Sequence, residues 1–144
     1  MGPATLQDFT WWSGLSPTDA KLALELAKPE LISLFMEGSD YWMTPKKSLV
    51  TAKAPIAHLL PAFDEFAVAY KDRTAAVNPK YLKQAGSVIA DPCIVVNNQV
   101  VGTWKRAIKK DRVEVTLNPF GELNKTQIKS VENAAEKYKK FIGG

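Results

Sequence analysis

The chain has 144 residues, and its 46% hydrophobic and 24% charged content is ordinary for a soluble globular protein of one domain or two small lobes. No apolar run approaches the roughly 18 residues of a membrane helix, which excludes a membrane-spanning helix and a membrane partner. Residues 1–72 carry six lysines against nine carboxylates, whereas residues 73–144 carry thirteen cations against six, so a polyanion should prefer the second half.

The single cysteine, Cys93, excludes an intramolecular disulfide, and with the single histidine, His58, it is too few for a zinc site. Cys93 stands in the apolar run PCIVV, which favours a buried strand cysteine. No basic and apolar leader precedes the first helix signal, so we expect a cytoplasmic protein. We expect it to use no metal or other cofactor. We also expect the chain to be part of a longer protein.

Two helix start signals lie close together near the N-terminus. Thr5 and Asp8 fit a capping box, and Gly14 is a natural residue to end the first helix. Ser16 then caps a second helix with proline at its first position, and Pro29 ends it.

Two extended runs, 31–36 and 41–44, follow, and the polar connection 37–40 contains a glycine, which predicts a hairpin. Two helices at a tight turn followed by a hairpin is the element order of a winged helix-turn-helix, here a partial one without a preceding helix. Residues 1–44 are therefore predicted to form a winged-helix-like lobe. The lysines of its second helix are balanced by acids, which favours packing over groove reading.

Residues 45–57 contain two prolines and three lysines with weak periodicity, which indicates a linker between lobes. Lys46 and Lys47 are candidate phosphate contacts, although a solvated linker is the simpler explanation.

The stretch 58–74, HLLPAFDEFAVAYKDRT, places charges inside an apolar run, and such charges need partners. One interpretation is a catalytic pair, with Asp64 as general base and Glu65 as orienting acid. Adjacent side chains diverge on both strands and helices, which disfavours a joint dyad. We favour a charge network between the lobes, formed by Asp64, Glu65, Lys71 and Arg73, and we expect the aromatic side chains Phe63, Phe66 and Tyr70 to pack.

An antiparallel sheet is predicted for the second half. Strands over 93–96 and 99–108 flank the turn pair Asn97-Asn98, and 113–117 alternates as a half-buried strand should. Val100, Trp104 and Ile108 are expected on one face of their strand. An amphipathic helix with Asn124 and Gln127 at its start closes this α+β lobe, 58–144, so that the whole chain is α+β.

The segment 103–112 is the best candidate for contact with nucleic acid. It holds five cations against one acid, Asp111. A basic hairpin of this kind can grip phosphates and enter a groove, but a solubilising turn with edge-strand lysines remains an equal alternative. The candidate residues are Lys105, Arg106, Lys109, Lys110 and Arg112.

Three blocks carry a family resemblance: GPATLQDFTWWSGLSPTDAKLALE, LLPAFDEFAVAYKDR and VVNNQVVGTWKR. In this order they resemble the C-terminal portion of the bacterial winged-helix DNA-binding-domain-containing family that includes AlkZ-like DNA glycosylases. The resemblance implies tandem winged-helix units around a DNA-facing cleft, in proteins more than twice this length. It also implies removal of alkylated bases, or unhooking of crosslinked ones, by members whose N-terminal part holds the catalytic motif.

That motif is glutamine, an aliphatic residue, then glutamine or aspartate, and no glutamine of this chain stands in it: not Gln7, Gln84, Gln99 or Gln127. We therefore predict a DNA-binding portion of a larger protein, non-catalytic by itself. Its expected partners are duplex DNA, the missing N-terminal domain and a second copy of the chain. The alternatives are an assembly module that docks through Trp11 or Trp12, and a catalytic domain using Asp64 or Glu65.

Overall fold

The computed structural model describes residues 3–45, 54–85, 90–110 and 112–143. The helices are α1 (Leu6–Ser13), α2 (Pro17–Ala27), α3 (Glu65–Val68), α4 (Leu82–Ala85) and α5 (Lys125–Gly143). The strands are β1 (Ile32–Met36), β2 (Ser39–Met43), β3 (Ala57–Leu60), β4 (Cys93–Val96), β5 (Gln99–Lys109) and β6 (Arg112–Pro119). The predicted α+β class is confirmed.

The chain forms two compact units. Unit 1 comprises Met1–Thr51 and Val68–Asp72, and unit 2 comprises Ala52–Ala67 and Arg73–Gly144. The lobe boundaries drawn from the sequence, at 44 and 58, remain a prediction.

Local capping signals define the helices of unit 1 as predicted. Thr5 Oγ1 accepts a hydrogen bond from Asp8 N at 3.1 Å, and Asp8 Oδ2 accepts one from Thr5 N at 3.0 Å, which completes the capping box. Gly14 follows α1 with a φ of 70°, in the left-handed region that glycine adopts readily. Ser16 caps α2, and Pro29 lies in the short 3-10 turn that ends it.

The hairpin of unit 1 has a tighter turn than the sequence predicted. β1 and β2 pair antiparallel from Ile32 opposite Met43 to Met36 opposite Ser39. Only Glu37 and Gly38 remain in the turn, with φ values of 51° and 78°. Positive φ at both central residues is typical of a two-residue hairpin turn whose twist matches the strands. The predicted four-residue connection is therefore wrong, because its last two residues belong to β2.

A buried carboxylate holds the segment Val68–Asp72 within unit 1. Asp8 Oδ1 accepts from Lys71 N at 3.1 Å, in addition to the capping bonds of the same side chain. Trp11 Nε1 donates to Val68 O at 3.0 Å. Because hydrogen bonds satisfy the Asp8 carboxylate, its burial is tolerated without a charged partner.

Unit 2 is built on an antiparallel sheet in the order β3-β4-β5-β6. Helix α5 packs on one face through Val131 and Ala135, beginning after Asn124 as predicted. The strand β3 was not predicted, because four residues between Pro55 and Pro61 show no clear alternation. These residues form a strand because they pair antiparallel with β4.

Two apolar clusters cover opposite faces of this sheet. One contains Val77, Cys93, Val95 and Val100, and the other contains Ile94, Val96, Trp104 and Val131. The pairing of β4 with β5 shifts between Ile94 and Val95, so that Val101 is an extra residue in β5. This β-bulge reverses the side-chain alternation. The prediction that Val100 shares a face with Trp104 is therefore wrong.

The strand β6 runs further than predicted, through Pro119, which pairs with Gly102. Proline is tolerated there because β6 is the edge strand of the sheet. Gly102 meets this backbone so closely that a Cβ on it would lie 2.5 Å from the carbonyl oxygen of Asn118. Glycine at 102 is thus required by the close approach of two backbones.

Candidate nucleic-acid interface

A two-stranded hairpin projects from one end of the four-stranded sheet. The pairing of β4 with β5 ends where Cys93 lies opposite Thr103. Beyond that point β5 continues to Lys109 and pairs only with β6, as far as Arg112. We call the projecting parts, 104–109 of β5 and 112–117 of β6, the basic hairpin. The segment 103–112 singled out from the sequence forms most of it.

The cations of the basic hairpin divide between its two faces. Lys105 and Lys109 alternate with Arg106 along β5, and Lys109 lies opposite Arg112 in the strand register. Lys105, Lys109 and Arg112 therefore share one face. Lys110 follows β5 in the turn, and all five side chains are exposed. The structure thus brings three predicted cations onto one exposed surface.

An acid that the sequence analysis did not include belongs to this surface. Glu114 forms ion pairs with Lys109 Nζ at 2.7 Å and with Arg112 Nη2 at 2.8 Å. The hydrogen bond from Lys109, with the charge of Arg112, lowers the pKa of the Glu114 carboxyl. Like charges directly opposite each other destabilise a strand pair, and Glu114 relieves this repulsion between Lys109 and Arg112. The strand register places Glu114 beside these cations, although Glu114 lies beyond the candidate segment 103–112.

Arg106 has a partner of its own on the other face. It donates a hydrogen bond to the hydroxyl of Tyr138 on α5. The ring of Tyr138 meets that of Trp104 edge-on, with the centroids 4.9 Å apart. Arg106 therefore anchors the basic hairpin to α5, and its predicted role at a phosphate stays a prediction.

The loop that follows β3 leaves the sheet at the same end. Leu60, the last residue of β3, pairs with Cys93, the first residue of β4. Cys93 in turn pairs with Thr103, where the basic hairpin begins. We call this the basic end of the sheet.

Two residues of the predicted charge network, Asp64 and Arg73, hydrogen-bond to the backbone through their side chains. Asp64 Oδ1 accepts from Phe66 N at 2.9 Å, and Arg73 Nε donates to Ala67 O at 2.8 Å. Arg73 Nη2 is buried without a hydrogen-bond partner among the described residues. Glu65 is exposed in the first turn of α3, and Lys71 belongs to unit 1. A network that joins all four side chains stays a prediction.

The aromatic residues of the same stretch differ in burial. Phe66 packs against the cluster that contains Val77 and Cys93, as predicted. Phe63 is 69% exposed, so the expectation that it packs is wrong. Its side chain lies in solvent, in the loop between β3 and α3.

Cys93 is buried, as the sequence predicted, with 1% of its surface exposed. Burial, with a smaller contribution from the Asp64 carboxylate, raises the pKa of the thiol from 9.0 to about 11. The thiol is therefore protonated at neutral pH and unsuited to nucleophilic chemistry.

Within the described ranges, no group of three or more His, Cys, Asp or Glu side chains is placed to hold a metal ion. No helix there is long and apolar enough to cross a membrane. The candidate phosphate contacts Lys46 and Lys47 lie outside the described residues.

The family model described as DNA glycosylase AlkZ-like matches residues 1–141. The chain belongs to the AlkZ-like DNA glycosylase family. This confirms the resemblance carried by the three sequence blocks. No curated protein matches the chain.

The AlkZ-like fold is seen in a solved structure, Streptomyces sahachiroi DNA glycosylase AlkZ, which is similar with a TM-score of 0.65. The two sequences are 24% identical, and this likeness shows the fold alone. The match covers 93% of this chain but 38% of that chain. The chain thus spans well under half the length of this AlkZ structure.

Proposed function

We propose that this chain is the DNA-binding portion of a longer AlkZ-like protein and that the basic hairpin contacts the DNA phosphates. The observation that carries the proposal is the projecting hairpin itself, with Lys105, Lys109 and Arg112 on one exposed face. Neutralising phosphates supplies most sequence-independent affinity for DNA, and a two-stranded β-ribbon fits the major groove.

Glu114 pairs with two of the three cations on this face. It holds Lys109 and Arg112 beside each other, and its carboxylate competes with phosphate for both of them. Lys105 and Lys110 add charge along the same projection. In this proposal the chain holds DNA, and base chemistry belongs to the remainder of the longer protein, since the glutamine motif is absent here.

Titration of fluorescently labelled duplex DNA over a series of salt concentrations tests this proposal. Each phosphate contact contributes about 0.9 to the slope of log affinity against log salt. Replacing Lys105, Lys109 and Lys110 together by alanine should therefore reduce the slope by about 2 to 3.

Lys125 and Lys129, two exposed lysines of α5, supply a matched control pair whose replacement by alanine should change the slope less. Absence of binding at low salt would contradict the proposal. So would an unchanged slope in the hairpin variant.

A second role, in assembly, is favoured by the apolar surface of unit 1. Every residue of β1 is exposed, although four of its five side chains are apolar. Leu22 and Leu26 on α2 are exposed one helical turn apart, Leu26 by 76%. Exposed apolar side chains clustered on one unit are typical of an interaction site.

An apolar groove of about 190 Å³ adjoins these elements within unit 1. Its lining comes from the start of the chain, from α1, α2 and β2, and from the residue that precedes β1: Ala4, Thr5, Leu6, Phe9, Ala23, Leu24, Ala27, Trp42 and Leu31. We infer that the remainder of the longer protein occupies this surface with an amphipathic helix. The match to 38% of the AlkZ chain supports this occupant, because a protein of that length has ample further polypeptide.

Co-expression of this chain with the remaining portion of its longer protein tests the assembly role. Leu26→Glu should abolish co-purification, whereas Lys21→Glu on the same helix should not. Light scattering at several concentrations should show a monomer when the chain is alone. A dimer that Leu26→Glu dissociates would instead identify a second copy as the occupant.

A further inference from the structure

The loop after β3 displays an aromatic side chain on an unfavourable backbone. Phe63 has a φ of 59°, in the left-handed region that bulky side chains rarely adopt. Its ring is 69% exposed, so packing does not compensate for this conformation. Backbone strain of this kind persists where the surroundings impose it, and it is frequent at functional sites.

Hydrogen bonds impose the conformation from both sides of Phe63. Before it, the carbonyl oxygen of Leu60 accepts from Trp104 Nε1 at 2.8 Å. After it, Asp64 Oδ1 accepts from Phe66 N at 2.9 Å, and Asp64 O accepts from Ala67 N at 2.9 Å. The loop is therefore tied to the sheet at one end and to α3 at the other. Phe63 is held outward between these two attachments.

The position of the loop indicates what the ring meets. It leaves the sheet at the basic end, where Leu60, Cys93 and Thr103 follow one another in register. The basic hairpin projects from this end. Its face opposite Lys105 and Lys109 carries another exposed apolar side chain, Ile108, at 63%. Exposed aromatic rings beside a cationic surface are the usual means of binding unpaired nucleic-acid bases.

Charge within the loop separates the role of Phe63 from that of the basic hairpin. Asp64 and Glu65 follow Phe63 directly, and carboxylates repel phosphate. The loop is thus unsuited to the DNA backbone, whereas the neutral face of a base suits an aromatic ring. We propose that Phe63 stacks on an unpaired base of DNA whose phosphates are held by the basic hairpin.

This inference rests on the proposed function and names a substrate class, DNA with at least one unpaired base. The test measures binding of two labelled DNAs, an intact duplex and the same duplex with one unpaired 2-aminopurine. Wild-type protein should prefer the second DNA and quench its fluorescence, because stacking quenches 2-aminopurine. Phe63→Ala should reduce this preference about ten-fold, in the range of one base–aromatic stack, and Phe63→Trp should retain it.

Two further variants separate stacking from folding. Phe63→Gly removes the ring but suits positive φ, so it should lose the preference while the melting temperature is maintained or raised. Phe141→Ala removes another exposed ring, 82% accessible on α5, and should leave the preference unchanged.

The outcomes distinguish the two proposals. Binding of both DNAs with an unchanged ratio in Phe63→Ala and Phe63→Gly would overturn the stacking proposal and leave the basic hairpin in place. Failure of the wild-type protein to bind either DNA would overturn both.

Discussion

Trp104 Nε1 donates a hydrogen bond to the carbonyl oxygen of Leu60 at 2.8 Å and so joins two strands that both pair with β4. Trp104 is the first residue of the basic hairpin, and Leu60 is the last residue before the loop of Phe63. One buried indole therefore positions both parts of the candidate interface.

Trp104→Phe removes this bond and keeps an aromatic ring. We expect the free energy of unfolding to fall by about 1 to 3 kcal/mol, because a carbonyl of partly buried Leu60 loses its donor. Amide exchange in the loop 61–64 should accelerate, and the preference for unpaired DNA should fall.

Trp11→Phe is the matched control, since it removes an indole bond to Val68 O within unit 1. It should leave exchange in the loop 61–64 unchanged. Equal exchange rates in Trp104→Phe and the wild type would contradict the positioning role of Trp104.

Glu114→Gln should strengthen DNA binding. It removes the negative charge that pairs with Lys109 and Arg112, so that both cations become available to phosphate. The slope of log affinity against log salt should increase by about 1 to 2.

Glu136→Gln provides the comparison, because Glu136 pairs with Lys139 on α5 rather than on the basic hairpin. Affinity lowered by Glu114→Gln, with stability unchanged, would show that the ion pairs themselves create the binding surface.

Cys93 should make stability fall at alkaline pH. Its pKa is raised from 9.0 to about 11 by burial and Asp64, so the unfolded chain loses the proton first as the pH rises. The protonated Cys93 thiol therefore contributes fully to the free energy of unfolding below about pH 9, and this contribution is lost between about pH 9 and 11.

Urea denaturation of wild-type protein and Cys93→Ala at pH 8 and pH 10.5 checks this prediction. The loss of stability between the two pH values should be smaller in the variant. An equal loss would show that Cys93 titrates alike in the folded and unfolded chain.

Gly102→Ala should destabilise unit 2 by about 1 to 3 kcal/mol. The new Cβ would lie 2.5 Å from Asn118 O and 2.7 Å from Pro119 Cα, and backbone atoms cannot move aside as a flexible side chain can. Gly143→Ala is the control, because nothing lies within 4 Å of its Cβ position. Thermal denaturation with an unchanged midpoint in Gly102→Ala would contradict this close approach.

Arg73→Ala tests whether the predicted charge network is structural. It removes the hydrogen bond from Arg73 Nε to Ala67 O, which lies in helix α3 after the loop of Phe63 and Asp64. We expect the melting temperature to fall by a few degrees, with DNA affinity following only as the protein unfolds. Weaker DNA binding at an unchanged melting temperature would instead assign Arg73 to the binding site.

Elements with short-range signals could be predicted from the sequence. The capping box of Thr5 and Asp8, the turn pair Asn97-Asn98 and the start of α5 at Asn124 all appear as predicted. Each depends on residues within about four positions of one another, because a cap or a tight turn closes its hydrogen bonds over that distance. The cationic character of the segment 103–112 is likewise visible in the sequence.

Features that depend on strand pairing could not be predicted in this way. β3 exists through its pairing with β4, and Val101 becomes a bulge only opposite the step from Ile94 to Val95. Glu114 reaches Lys109 across the hairpin, and the exposure of Phe63 follows from where β3 ends. Such features join residues distant in the chain, and their positions follow from which strands meet and in which register, which short-range propensity does not encode.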